Sequence, residues 1–126
     1  FREMSTDPLI VTAGLAALTK RILLISTVHI LYGWHPLHLA KFGATIDNIS
    51  GGRWGLNIVT GYKPSEFEMF GLDPIEHDHR YVMADEFTTI MERLWSEDEE
   101  LTFDGRFWNT KKALSRRSRS MGAASW

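Results

Sequence analysis

The stretch Ser50-Gly51-Gly52-Arg53-Trp54-Gly55-Leu56-Asn57-Ile58-Val59-Thr60-Gly61-Tyr62 constrains the fold more than any other part of the chain. Its two glycines stop the helix that precedes them, and the apolar run that follows is too short to be a helix itself. A polar corner with another glycine ends the run. An apolar run of this length is a buried strand of a parallel sheet, entered from one helix and left through a long loop. Ligands of α/β folds gather at the carboxyl ends of such strands. The polar groups placed to meet one are Asn57 and Thr60, then Glu66, His77, Arg80 and Tyr81 downstream.

The segments before this strand follow the same alternation. Asp7-Pro8 is a helix start, with Asp as N-cap and Pro at the first helical position. Leu9, Ala13, Ala16 and Ala17 are its predicted inner face, and Lys20-Arg21 its cationic close. Residues 22–29 form a strand rich in branched residues, with Leu23, Ile25, Thr27 and His29 on one side. The polar pair of that side, Thr27 and His29, falls at its end. Trp34-His35-Pro36 opens the next helix, for which Leu39, Phe42, Ile46 and Ile49 are the predicted buried stripe. Short joins between these elements predict two adjacent parallel strands linked by a crossover through the helix at 36–50.

Downstream, 61–78 is a longer connection of the kind that carries function. A helix from 78 or 79 to about 96 buries Ala84, Phe87, Met91 and Leu94. Asp104-Gly105 centres a hairpin over 101–108. Two units are expected: an α/β domain over 1–113 and a basic, disordered Ser/Arg-rich tail over 114–126.

Composition excludes several classes. A net charge of −2 argues against nucleic acid or an anionic membrane as an obligatory partner. The absence of cysteine removes disulfides, thiolate metal sites and a cysteine nucleophile. The most apolar segment, 22–32, is shorter than the roughly 20 residues needed to cross a bilayer. The opening Phe1-Arg2-Glu3-Met4 lacks an apolar signal core, so a cytoplasmic location is expected.

For each candidate two readings stand. Arg80 opens a helix and can clasp an anion bidentately, or it can pair on the surface with Asp78 or Glu76. His77 and Tyr81, four residues apart, can present two ligand contacts from one helical face, or form an ordinary capping turn. His29 beside Thr27 can act as a general acid/base, or it can be a satisfied core histidine. Neither His35/His38 nor His77/His79 has a third convergent ligand, so no metal site is expected.

Several runs together carry a family resemblance. Ala44-Thr45-Ile46-Asp47-Asn48-Ile49-Ser50-Gly51-Gly52-Arg53 resembles the "ATLDxxSGGR" segment of bacterial-luciferase-like flavin monooxygenases. Gly55–Gly61, the segment from Glu66 to Gly71, His77-Asp78-His79-Arg80-Tyr81, Glu86, Leu94-Trp95 and the 103–107 hairpin continue it in the family's order. The nearest branch is similar to the nitrilotriacetate, alkanesulfonate, dimethylsulfone and pyrimidine monooxygenases.

The resemblance implies an α/β fold, a (β/α)8 TIM barrel of parallel strands. It also implies reduced FMN, delivered by a separate NAD(P)H:flavin reductase, together with O2, a small organic substrate and a homo-oligomer. Asn57 and Glu66 match flavin-contacting positions; His77, Arg80 and Tyr81 match those that hold the flavin and its phosphate; Thr27 matches a strand-end threonine beside the ring. His29 is then the candidate catalytic residue, at the reacting end. A complete barrel needs about 250 residues, so a fragment truncated at both ends is expected, inactive alone. The alternatives are a flavin or deazaflavin enzyme that transfers hydride without oxygen, and a non-catalytic truncated product.

Overall fold

The computed structural model describes residues 6–114, apart from the side chains of Val28 and His29. The Ser/Arg-rich run expected to form a tail lies, from residue 115, outside the described residues. The elements are α1 (Pro8–Leu18), β1 (Leu24–Ile30), α2 (Pro36–Ser50), β2 (Trp54–Val59), α3 (Pro64–Met69), α4 (His77–Ser96), β3 (Leu101–Asp104) and β4 (Asn109–Ala113).

The expected parallel pair forms. Leu24 lies opposite Trp54, Ser26 opposite Leu56 and His29 opposite Ile58, with an irregularity between Ser26 and His29. The two helices around it start as their sequences dictate. Asp7 Oδ1 accepts from the Leu9 and Ile10 N–H groups at 2.9 and 3.0 Å, with Pro8 in the first turn. His35 Nδ1 accepts from the Leu37 N–H at 3.2 Å, and α2 stops at Gly51 in the left-handed region, φ 69°.

Two helical faces differ from expectation. Helix α1 ends at Leu18, so Lys20-Arg21 lies beyond it, and Thr12 rather than Ala17 joins Leu9 and Ala16 in the buried set. In α2 the buried residues include Leu39, Ala40, Gly43, Ile46, Asp47 and Ser50, whereas Phe42 and Ile49 are 42% and 48% exposed. The helix turns its smallest position inward because the Trp54 ring occupies the space where a β-carbon at Gly43 would sit. Trp95 meets Trp54 edge-on there, ring centroids 6.1 Å apart, and donates to the Ala40 carbonyl at 2.9 Å.

Between helices and sheet runs a buried polar chain. Trp54 Nε1 donates to Ser26 Oγ at 2.9 Å, Ser26 donates to Thr12 Oγ1 at 3.0 Å, and Thr12 donates to the Pro8 carbonyl at 2.6 Å. Each buried hydroxyl is thereby satisfied, as a buried polar group must be. Arg53 binds the same region from outside. Its guanidinium donates to the carbonyls of Ala16, Thr19, Ile22 and Ser50 and to Thr19 Oγ1, over 2.7–3.2 Å. It thus covers carbonyls that the end of α1 leaves without helical partners.

Helix α4 packs on α2 and buries Met83, Phe87, Ile90, Met91 and Leu94. The connection 61–78 is not plain loop: α3 forms within it, with Pro64 in its first turn and Phe67 fully buried. The hairpin runs on past 108 to Ala113, because buried Thr110 and half-buried Ala113 keep an inward face. Its loop is held by Glu86 of α4, whose carboxylate accepts from the N–H groups of Arg106, Phe107 and Trp108 at 2.7, 2.8 and 3.0 Å.

The helices cover one face of the parallel pair. On the other, Leu23 and Ile25 are each 63% exposed, and Thr27 and Asn57 are also open. The exposed parity is the one that period two assigns to Leu23, Ile25 and Thr27.

Candidate functional site

On this open face the two strands bring their polar groups together. Asn57 Nδ2 donates to Thr27 Oγ1 at 3.0 Å. The backbone of His29 continues β1 beside Ile58, and its side chain is outside the described residues. Beyond β2, Gly61 turns the chain with φ 74°, a conformation that favours glycine. A β-carbon there would strike the Tyr32 ring.

Tyr32 is the residue that sequence reasoning misses. It follows β1 directly, is only 3% exposed, and stacks on Phe67 with centroids 3.9 Å apart. Phe70 meets it edge-on at 6.0 Å. Its hydroxyl donates to Glu66 Oε2 at 2.7 Å, so a predicted site residue is tied to an unpredicted one. Burial raises the phenol pKa well above its ordinary 10, and the hydrogen bond and charge of Glu66 push the same way; Arg80 opposes them. The only sequence signal is an aromatic between a strand and a glycine, which reads equally as core.

The start of α4 bears on both readings of Arg80. Glu76 caps the helix, accepting from the N–H groups of Asp78 and His79 at 3.2 and 3.3 Å. Asp78 Oδ1 meets His77 Nδ1 at 2.9 Å. Both carboxylates proposed as surface partners are thus engaged elsewhere. Arg80 itself is half-buried; its Nε is buried without a hydrogen-bond partner, and it makes no ion pair with any described residue. His77 and Tyr81 do share a face, ring centroids 5.0 Å apart and tilted by 56°.

Three groupings result: Thr27 with Asn57, Glu66 with Tyr32 near Arg80, and His77 with Tyr81. No hydrogen bond joins the first to the α4 groups among the described residues. Among those residues, no set of three or more His, Asp or Glu side chains could hold a metal ion. Nor is any helix long and apolar enough to cross a membrane.

A parallel strand–helix–strand unit, with its helices on one face and Thr27 and Asn57 on the other, defines an α/β protein. The chain belongs to the luciferase-like monooxygenase family, whose model matches residues 1–123. It is 41% identical over 98 residues to the pyrimidine monooxygenase RutA of Allorhizobium ampelinum, a match covering 76% of this chain and 26% of that protein. The monooxygenase RslO1 of Streptomyces bottropensis has the same fold with a TM-score of 0.79 at 31% identity, covering 93% of this chain and 35% of that one. The oxygenating constituent of 3,6-diketocamphane monooxygenase from Pseudomonas putida, solved in complex with FMN, superposes with a TM-score of 0.72 at 28% identity, covering 82% of this chain and 28% of that one. The chain therefore spans about a quarter to a third of the length of these relatives. Its fold is part of the family's (β/α)8 barrel, with the open face of β1 and β2 on the barrel's interior side.

Proposed function

We propose that this chain supplies part of the FMN site of a flavin-dependent monooxygenase that places one atom of O2 in a small organic substrate and releases the other as water. The observation that carries the proposal is Arg80. A guanidinium with a buried, unpartnered Nε and no carboxylate is a charge in want of an anion. It stands on the first turns of a 20-residue helix, whose dipole also favours negative charge at that end. A phosphate monoester answers both, because its oxygens accept the arginine fork bidentately.

The residues present therefore fit FMN. Arg80, with His77 and Tyr81 beside it, would bind the phosphate and ribityl oxygens. Asn57, Glu66 and Thr27 would meet the ring and its surroundings through the amide, carboxylate and hydroxyl they carry. His29, two residues beyond Thr27 in the chain and past the irregularity in the β1–β2 pairing, would hold or move a proton at the reacting end. When bound in its reduced form, FMN supplies the electrons that activate O2. A separate NAD(P)H:flavin reductase as their source, a homo-oligomeric assembly and a cytoplasmic setting complete the proposal.

Titrating an intact enzyme that carries these residues with FMN, followed by flavin fluorescence, tests this reading. Saturable binding that weakens in Arg80→Ala supports it. Absence of binding, or binding indifferent to Arg80, contradicts it.

A further inference from the structure

Glu66 is placed at the flavin site by the proposal above, yet α3, which carries it, is a single short helix of six residues. A carboxylate on so short an element needs something else to fix its direction. Tyr32 is built to do that. Its ring is clamped by Phe67 on one side, Phe70 at its edge and the Gly61 backbone, where no side chain could fit. The hydroxyl at the end of this immobile ring donates to Glu66 Oε2 at 2.7 Å. Among the described residues the Glu66 carboxylate accepts no other hydrogen bond, so Oε1 remains an open acceptor.

We infer that Tyr32 is a positioning residue for the flavin site: by holding Glu66 Oε2 it fixes the carboxylate's direction and leaves Oε1 to accept from the ligand. The inference rests on the FMN reading of Glu66 and Arg80. Burial and the Glu66 contact keep the phenol protonated, so it continues to donate across the neutral range.

A double-mutant cycle on FMN affinity tests this, using the whole protein, with Tyr32→Phe, Glu66→Ala and the pair. Tyr32→Phe retains the ring and its packing, and should melt close to wild type while losing about tenfold in affinity, the scale of one hydrogen bond to a charged group. Glu66→Ala should lose at least as much. The double variant should bind no more weakly than Glu66→Ala alone, because Tyr32 acts only through that carboxylate. Additive losses would overturn the inference, since they would give Tyr32 an independent, merely structural effect. Unchanged affinity in Tyr32→Phe, with losses in Glu66→Ala and Arg80→Ala, would also overturn it while leaving the FMN site intact. If all three single variants bind FMN normally, the site reading itself fails. Should Tyr32→Phe not fold, Glu66→Asp withdraws the carboxylate from the phenol by one methylene and must weaken binding similarly. Wild-type affinity in that variant would overturn the inference.

Discussion

Asn57 on β2 donates its side-chain amide to the Thr27 hydroxyl on β1 across 3.0 Å. The bond leaves the Thr27 proton and the Asn57 carbonyl oxygen facing the open side of the sheet as a donor and an acceptor. Thr27→Val preserves shape and removes both the hydroxyl and its bond. Because the pair is exposed, folding stability should change by less than about 1 kcal/mol, while FMN affinity falls several-fold. Chemical denaturation and flavin titration of the same preparation measure the two effects separately.

Glu86 should matter to stability rather than to flavin. It accepts from three consecutive backbone N–H groups of the hairpin loop. Glu86→Ala should destabilise the protein by about 1–3 kcal/mol, the scale of a lost charge-assisted acceptor. Burial alone would raise this carboxyl's pKa, but the three N–H groups and the Arg106 charge outweigh it and hold it below 4.5. Its folded pKa is thus depressed, so its contribution is complete above about pH 4.5 and is lost as the pH falls through the folded value. Acid titration of stability should show this loss in the wild type and a shallower one in Glu86→Ala.

Arg53 cannot be replaced by lysine without loss. The five donors of a planar guanidinium match the spread of carbonyls around it, and a single ammonium cannot reach them all. Arg53→Lys should destabilise by about 1–2 kcal/mol in urea unfolding. No change would mean that solvent serves those carbonyls equally well.

His35 gives a second pH dependence. Burial, then the charge of His38, lower its pKa from 6.5, and Trp108 packs edge-on against its ring at 5.5 Å. The unfolded chain then takes up this proton before the native one does. Its contribution to stability is complete above pH 6.5 and declines as the pH falls from there through the folded value. His35→Asn keeps an N-cap acceptor for α2 and should flatten that decline in thermal melts taken between about pH 7 and pH 5.

These residues also show where sequence legibility ends. Period two places Thr27 on the same face as Leu23 and Ile25, because strand parity depends only on local backbone geometry, whereas the meeting of Thr27 with Asn57 depends on register between the strands. The helix starts at Asp7 and Pro36 and the stop at Gly51 are legible for the same local reason. Tyr32 is not, because its meaning comes from a partner 34 residues away on a helix that sequence reasoning leaves as loop. The rotation of α2, which exposes Phe42 and Ile49, follows from the bulk of Trp54 against Gly43, a tertiary fit invisible to periodicity. Arg80 is legible as a candidate, but its isolation from Glu76 and Asp78 emerges only once those carboxylates are seen capping the helix and meeting His77.

The most direct test of the account compares FMN with riboflavin, which lacks only the phosphate, in an intact enzyme carrying these residues, as wild type and as Arg80→Ala. If Arg80 is an empty phosphate receptor, the wild type binds FMN more tightly by about ten- to a hundredfold, the scale of a charge-assisted contact. The substitution should then erase most of that preference while leaving riboflavin affinity nearly unchanged. An Arg80→Ala protein that keeps the wild-type preference for FMN would contradict the account.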